Sequence, residues 1–250
     1  MSKGLRRAEP HRIALDLNTQ CDFLLPRGAM PVANRSDILP NIRRLMEWIR
    51  AEGVPVVSSV DAHRPGEPMN GVPRHCIDDT QGQRKVPFTL LPRRVWLQAD
   101  NTLDVPGDLF SRYQQAIMAK RSRDFLSNPK ADRLMSDLSP KYFIVFGVAT
   151  EICVKSVVLG LIARRRQVVL VADALGHWNA ADADLAVRQM IAKGAVPVAT
   201  EELVSGRPVS LPETAPASEA ATVEEPQRGV WTVNPARLPQ PVRRTILKPS

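Results

Sequence analysis

Residues 142–153 read Tyr-Phe-Ile-Val-Phe-Gly-Val-Ala-Thr-Glu-Ile-Cys and join an apolar run to the start of a helical pattern. The first five are apolar, which is typical of a strand buried on both faces. From residue 150 to 164 the apolar spacing is helical, and a strand followed at once by a helix is the unit of a parallel sheet. Cys153 therefore lies just inside a helix at the carboxyl end of a buried strand. Backbone N–H groups and the helix dipole favour a thiolate at such a position.

The same alternation of short apolar runs and helical patterns extends over the first 200 residues. Strands are predicted at residues 12–17, 54–60, 115–120, 142–146, 167–172 and 196–199. Helices are predicted at residues 38–51, 131–138, 150–164 and 180–193. This order predicts an α/β fold: a single doubly wound domain with a mostly parallel central sheet and helices on both faces.

Composition divides the chain into three parts. We expect a flexible N-terminus over residues 1–10, one domain over residues 11–203, and a Pro-rich disordered tail over residues 204–250. The tail is rich in Pro, Ala, Glu, Ser and Thr, and cannot bury enough apolar area to offset its ordering entropy. Within the domain, residues 63–101 have few periodic features, and loops of that length are usually functional.

Charge and cysteine usage exclude several classes of protein. The net charge is +8, but the basic residues are scattered in pairs and triplets without interleaved aromatics, which argues against a nucleic-acid-binding protein. There is no apolar stretch of membrane-spanning length and no signal-peptide pattern at the start, so we expect a cytoplasmic protein with no membrane partner. Three cysteines without a CxxC pair fit a reducing compartment.

Reactive side chains follow three of the predicted strands. Asp16 lies near the end of the first strand, Lys120 ends another, and Cys153 follows a third. In an open α/β sheet the carboxyl ends of the strands share one edge, where ligands bind. A packed cysteine, a loop-anchoring carboxylate and a solvated lysine are the alternatives. A cysteine–histidine pair with His177 as the base is a further one.

A second group of polar residues could bind a metal ion. Asp61 and His63 are two residues apart at the end of a predicted strand, so their side chains point to the same side. The following loop can bring His75 to meet them. Such a mixed oxygen and nitrogen set suits a divalent ion, Zn²⁺, Mn²⁺ or Fe²⁺. The alternative is a hydrogen-bonded polar cluster beneath a loop.

Taken in order, five motifs resemble those of the isochorismatase-like cysteine hydrolases, and within them the nicotinamidases. The resemblance covers residues 11–203 and rests on Asp16-Leu-Asn-Thr-Gln-Cys-Asp-Phe23, Asp61-Ala-His63, Pro73-Arg-His-Cys76 with Thr80-Gln-Gly82, Lys120, and Gly147-Val-Ala-Thr-Glu-Ile-Cys153. It implies the isochorismatase-like fold.

The resemblance also implies a chemistry for the reactive residues. Asp16, Lys120 and Cys153 would form the catalytic triad, with Cys153 as nucleophile and Asp16 as the group that takes and returns its proton. The backbone N–H groups of Ala149 and Cys153 would form the oxyanion hole. In this family the peptide bond that matches Val148–Ala149 is cis.

The metal cluster has an implied role as well. Nicotinamidases bind the pyridine nitrogen of the substrate at a divalent metal ion, here held by Asp61, His63 and His75. Glu67 is the acidic candidate for a fourth ligand, and Phe23 is either a wall for the substrate ring or plain core packing. One departure is visible, because the family's usual motif has fewer residues between its two aspartates than the five between Asp16 and Asp22.

The function expected from these residues is metal-assisted hydrolysis of nicotinamide to nicotinate and ammonia, through a thioester on Cys153. The expected partners are a small-molecule amide substrate and further copies of the same chain in a homo-oligomer. Two alternatives remain open: hydrolysis of another small amide or a ureide on the same fold, and a catalytically silent binding or scaffold protein.

Overall fold

The computed structural model describes residues 10–69, 71–98 and 102–212. Its centre is a seven-stranded sheet in which every strand pair is parallel. The strands are β1 (Arg12–Leu17), β2 (Val56–Asp61), β3 (Arg94–Leu97), β4 (Gln115–Lys120), β5 (Tyr142–Val148), β6 (Val168–Gly176) and β7 (Val196–Val198). Their order across the sheet is β3-β4-β2-β1-β5-β6-β7.

Helices cover both faces of the sheet, as the alternating pattern predicts. They are α1 (Cys21–Leu24), α2 (Arg35–Ala51), α3 (Leu109–Arg112), α4 (Pro129–Asp137), α5 (Lys155–Ala163), α6 (Ala180–Ala192) and α7 (Thr200–Val204). Two separate apolar cores result: α3, α4 and α5 contribute to one, and α2 and α7 to the other. The predicted α/β fold class is confirmed, and the sheet is entirely parallel within the described residues.

The central strand β1 is the point at which the strand order reverses. After β1 the chain continues on one side through β2, β3 and β4, and then crosses to the other side with β5. Leu17, the last residue of β1, is paired with both Ser59 of β2 and Gly147 of β5. Asp61 and Lys120 are paired where β2 and β4 end. The crevice beyond these strand ends is where doubly wound folds bind ligands.

The structure adds two features to the predicted elements. Strand β3 lies within the segment that was expected to be a long loop, and it escapes detection because this four-residue strand at the edge of the sheet has no clear apolar pattern, with Trp96 49% exposed. The predicted helix over residues 150–164 begins with a wider turn, a π-helix at Thr150–Val154, before continuing as α5.

Packing continues beyond the expected end of the domain at residue 203. That position falls inside α7, and Val209 and Leu211 pack against the core on the α2 side of the sheet. Almost all of the predicted flexible N-terminus lies outside the described residues, and so does most of the predicted tail. In the described part of the chain, no helix has the length and apolar character needed to cross a membrane.

Gly147, near the end of β5, provides a test of how tightly the strand ends are packed. Its φ is +118°, and a Cβ atom there would lie 2.1 Å from the carbonyl oxygen of Leu17. We expect Gly147→Ala to lower the free energy of unfolding by about 3 kcal/mol, measured by urea denaturation. Gly53→Ala is the matched control, because Gly53 also has a positive φ, of +63°, but no atom within 4 Å of the added Cβ. Equal losses in the two variants would contradict the packing explanation.

Candidate functional site

Asp61, His63 and His75 form a cluster suited to a metal ion. The Nε2 atoms of both histidines lie 3.8 Å from Oδ2 of Asp61. The three potential ligand atoms are all within 4.8 Å of one another. His63 follows β2 by two residues. Its backbone N–H donates to the carbonyl of Cys76, and this hydrogen bond holds the neighbouring His75 beside the end of β2. The structure thus brings together the three residues predicted to bind a metal.

The far nitrogen of each histidine ring is already engaged. Nδ1 of His75 lies 2.8 Å from the carbonyl oxygen of Pro73, and Nδ1 of His63 lies 3.3 Å from Oε1 of Glu67. Both rings therefore present Nε2 toward Asp61. Outer contacts of this kind orient histidine ligands in metal sites. Glu67 thus contacts the nitrogen of His63 that faces away from the cluster, which is the position of an orienting group rather than of a fourth ligand.

One unpaired nitrogen atom in this cluster shows that the residues suit a divalent ion. Nε2 of His63 is buried and has no hydrogen-bond partner. A buried polar nitrogen without a partner is costly, and two imidazoles with one carboxylate are a ligand set that Zn²⁺ accepts in open, catalytic sites. The residues present therefore fit a metal ion with at least one free coordination position.

The other oxygen of Asp61 binds Lys120. Nζ of Lys120 lies 2.9 Å from Oδ1 of Asp61 and donates a further hydrogen bond of 3.0 Å to the carbonyl of Ser122. Lys120 also interacts electrostatically with Cys153. The buried ammonium group therefore links the predicted nucleophile to the predicted metal cluster.

Neighbouring groups outweigh burial in their effect on the pKa values of Lys120 and Asp61. Burial acts to lower the pKa of Lys120, but the charges of Cys153 and Asp61 raise it above its ordinary value. Burial acts to raise the pKa of Asp61, whereas the neighbouring His63 and His75 and the charge of Lys120 hold it well below the usual range. We therefore describe Lys120 as an ammonium group and Asp61 as a carboxylate at neutral pH.

Cys153 lies in the π-helical turn that begins immediately after β5. The turn is closed by two hydrogen bonds to the carbonyl of Ala149, from the N–H groups of Ile152 and Val154, at 3.2 and 3.0 Å. The peptide bond between Val148 and Ala149 is cis, as the resemblance implies. Cys153 is 7% exposed.

Asp16 is placed differently from the other two predicted catalytic residues. Its Oδ2 forms an ion pair of 2.7 Å with Lys85 and accepts a hydrogen bond of 3.0 Å from Ser58. Its Oδ1 accepts a hydrogen bond of 2.7 Å from Thr19. The side chains of Asp16 and Lys85 are both completely buried. Asp16 lies one residue before the end of β1. The described contacts of its carboxylate are those with Lys85, Ser58 and Thr19, and none of them supports its predicted role as the proton acceptor.

Asn18 occupies the strand end at which the sequence prediction placed Asp16. It follows β1 directly, and its side chain contacts both neighbouring strand ends, through Ser59 and the carbonyl of Val148. Sequence reasoning missed this residue. The signal that could have found it is the lengthened spacing between Asp16 and Asp22, which leaves an amide rather than a carboxylate at the edge of the sheet.

Two aromatic side chains, Phe23 and Trp178, lie beside the metal cluster. The ring of Phe23 lies 5.4 Å from that of His75 and 5.7 Å from that of Trp178, between ring centres. Phe23 is also part of the core on the α2 side, so it packs in the core and contacts the cluster at once. Trp178 was not predicted. Its backbone N–H donates to the side chain of Glu151, in the turn that contains Cys153, at 2.9 Å.

Other polar residues near the site support its backbone. Gln20 forms two hydrogen bonds with the main chain of Asp61, of 2.7 and 2.8 Å. The carboxylate of Asp22 accepts N–H groups from Ala29 and Cys76, and so ties the metal-cluster loop to α1. His177 is anchored through its backbone, with its N–H on the side chain of Asn34. The described contacts of these residues hold the main chain in place.

Comparison with known proteins identifies the fold and the family. Residues 15–202 match the isochorismatase domain. A comparison of the sequence with curated proteins returns no match.

Several solved structures are similar to the chain. A pyrazinamidase of Pyrococcus horikoshii in complex with zinc is 23% identical, with a TM-score of 0.57, over 76% of this chain and 99% of that one. A nicotinamidase/pyrazinamidase from Bacillus subtilis is 18% identical, with a TM-score of 0.59, over 75% and 98%. A cysteine hydrolase from Pseudomonas syringae is 17% identical, with a TM-score of 0.60, over 82% and 97%. At these identities the likeness shows the fold.

The buried pair of Asp16 and Lys85 gives a prediction about stability. Lys85→Met leaves the Asp16 carboxylate buried without its counter-charge, so we expect the free energy of unfolding to fall by about 3–5 kcal/mol. In the double variant Asp16→Asn/Lys85→Met, neither residue of the pair carries a charge. We therefore expect a smaller loss of unfolding free energy than in Lys85→Met alone. Urea denaturation of the four proteins in this cycle measures the coupling.

A surface ion pair provides the control for that cycle. Arg188 and Asp184 lie on α6, with side chains 68% and 64% exposed. Arg188→Met should change the free energy of unfolding by less than about 1 kcal/mol. A double variant as unstable as Lys85→Met would show that the buried charge of Asp16 is not the source of the loss.

Proposed function

Because the chain belongs to the isochorismatase family, we propose that it is a cysteine amidohydrolase, and that its substrate is nicotinamide, cleaved to nicotinate and ammonia. The observation that carries the proposal is the position of Lys120, which forms an ion pair with the metal-cluster residue Asp61 and interacts electrostatically with Cys153. A nucleophile and a ring-binding position joined through one ammonium group suit a small aromatic amide. The pyrazinamidase and nicotinamidases among the similar structures support this choice of substrate class.

The proposed reaction starts at the thiol of Cys153. Its sulfur attacks the carbonyl carbon of the amide, and the carbonyl oxygen becomes an oxyanion that the N–H groups of Ala149 and Cys153 are suited to bind. The C–N bond then breaks, ammonia leaves with the proton released by the thiol, and the acyl group remains on sulfur as a thioester. Water cleaves the thioester and restores the thiol.

Lys120 has an electrostatic part in this scheme. Its ammonium group is buried and interacts with Cys153, and in such a site a positive charge stabilises a sulfur anion more strongly than it would in water. The carboxylate paired with it is Asp61 and not Asp16. Phe23 and Trp178 supply apolar ring surface beside the cluster and would hold the substrate ring while its carboxamide faces Cys153.

The metal cluster would serve for binding. Asp61, His63 and His75 would hold the divalent ion, and the bound ion would supply a Lewis-acid contact for a ring nitrogen of the substrate. Glu67 and the carbonyl of Pro73 would keep both imidazoles turned toward it. The identity of the ion is part of the proposal, with Zn²⁺, Mn²⁺ and Fe²⁺ as the candidates.

The first test is ammonia release from nicotinamide and from a panel of other small amides and ureides. We expect turnover of nicotinamide by the purified protein and its complete loss in Cys153→Ala, because the thioester cannot form. Cys21→Ala is the matched control: Cys21 is also a buried thiol, and its removal should leave the rate within about twofold.

Three results would contradict the proposal in different ways. Release from another member of the panel alone would keep Cys153 as the nucleophile and replace nicotinamide as the substrate. Release that persists in Cys153→Ala would remove the cysteine mechanism. Silence across the panel would favour a binding protein on the same fold.

A second prediction concerns the metal ion. Thorough chelation should abolish nicotinamide turnover, and added Zn²⁺ or Mn²⁺ should restore it, because the ring nitrogen loses its binding partner. Turnover of benzamide, which lacks that nitrogen, should change much less on chelation. Full activity and an unchanged preference for nicotinamide over benzamide after chelation would contradict a metal-bound ring.

A further inference from the structure

Asn18 joins the ends of the two strands that flank β1. Its Nδ2 donates a hydrogen bond of 2.9 Å to the carbonyl of Val148, the last residue of β5. Its Oδ1 accepts a hydrogen bond of 2.8 Å from the hydroxyl of Ser59 in β2. The residue is 2% exposed, so both contacts are made out of water. One amide therefore spans the point at which the strand order reverses.

The chemistry of these contacts requires an amide. The carbonyl of Val148 can only accept a hydrogen bond, so the group that faces it must be a donor. The same side chain must also present an acceptor to Ser59. A carboxylate would satisfy Ser59 but would place a second oxygen against the carbonyl of Val148.

The backbone at Asn18 points to the same residue type. Its φ is +50°, in the left-handed region that Asn adopts more readily than other residues with a Cβ. Its N–H donates to the carbonyl of Ser59, at 3.1 Å, and its carbonyl accepts the N–H of Gln20, at 2.7 Å. The main chain is thus turned sharply here and holds the side chain between the strands.

What Asn18 holds is the start of the turn that carries the nucleophile. Val148 is followed directly by Ala149, whose carbonyl closes the turn containing Cys153. The other described anchors of this turn lie farther along, where Thr150 donates to the carbonyl of Gly176 and Glu151 accepts from Trp178. Asn18 is the anchor on the side of β1 and β2.

We propose that Asn18 is a positioning residue for this turn: its amide fixes the carbonyl of Val148 against Ser59 and so sets where Ala149 and Cys153 stand relative to the substrate. An amide takes up no proton at neutral pH, so Asn18 acts by geometry and not as a base. The proposal deepens the proposed function and rests on it for its kinetic part.

The experiment compares Asn18→Ala and Asn18→Asp with Asn41→Ala. Asn41 is the matched control because its Nδ2 also donates to a main-chain carbonyl, that of Asp173, at 2.7 Å, but on α2 and away from the turn. Two quantities are measured on the full chain: kcat and KM for ammonia release, and hydrogen exchange of the backbone amides in the peptide containing residues 147–154.

We expect both Asn18 variants to lower kcat by about 10- to 100-fold with KM changed by less than about threefold, since a displaced nucleophile affects the reaction more than binding. We expect exchange in residues 147–154 to become at least about tenfold faster in both. In Asn41→Ala, kcat and exchange in this peptide should stay near those of the unaltered protein, even if the free energy of unfolding falls by a similar amount.

The opposite outcomes are equally distinct. A rise of kcat in Asn18→Asp would overturn the proposal, because it would show that this position serves a proton acceptor. Exchange in residues 147–154 that is the same in Asn18→Ala and Asn41→Ala would overturn it as well. If the unaltered protein releases ammonia from no amide, the proposed function fails, and the exchange comparison alone decides whether Asn18 holds the turn.

Discussion

Parallel pairing of β1 with β2 and β5 is the constraint on which the rest of the molecule depends. It aligns the carboxyl ends of the central strands at one edge, because parallel neighbours run in the same direction. Asn18, Asp61 and the turn containing Cys153 all follow from that alignment. The reversal of strand order at β1 then opens the crevice in which these groups meet.

Within the crevice, one carboxylate connects two kinds of chemistry. Asp61 directs Oδ1 to Lys120 and Oδ2 to the two histidines, so the ammonium group of Lys120 and both imidazoles share a single anion. In a low-dielectric site such shared charges interact strongly, and removal of one partner leaves the others unpaired. The second buried pair, Asp16 with Lys85, is separate from this set and ties β1 to the segment between β2 and β3.

Much of the fold could be predicted from periodicity. β1 and β4 have the predicted bounds, and α2 and α6 lie within three residues of theirs, because each has a long and regular apolar pattern. Strand β3 could not be predicted, since its exposed edge position leaves no pattern to read. In the site, the spacing of Asp61, His63 and His75 predicted a cluster that the structure contains. Glu67 was predicted as a candidate fourth ligand, whereas it contacts the outer nitrogen of His63, and that contact depends on loop geometry that spacing does not specify.

The sequence by itself determined the α/β class, the strand ends that carry reactive groups, and the identities of Cys153, Lys120 and the metal-cluster residues. Those properties follow from local pattern and residue type. Only the tertiary structure decided which aspartate meets which lysine. Asp16 and Asp61 both stand at predicted strand ends, and only the pairing of the strands and the path of the loop bring Lys85 to the first and Lys120 to the second. Two residues likewise separate the buried ion pair at Asp16 from the amide of Asn18, because β1 ends at Leu17 and the backbone turns at Asn18, where φ is +50° and the side chain reaches both neighbouring strands.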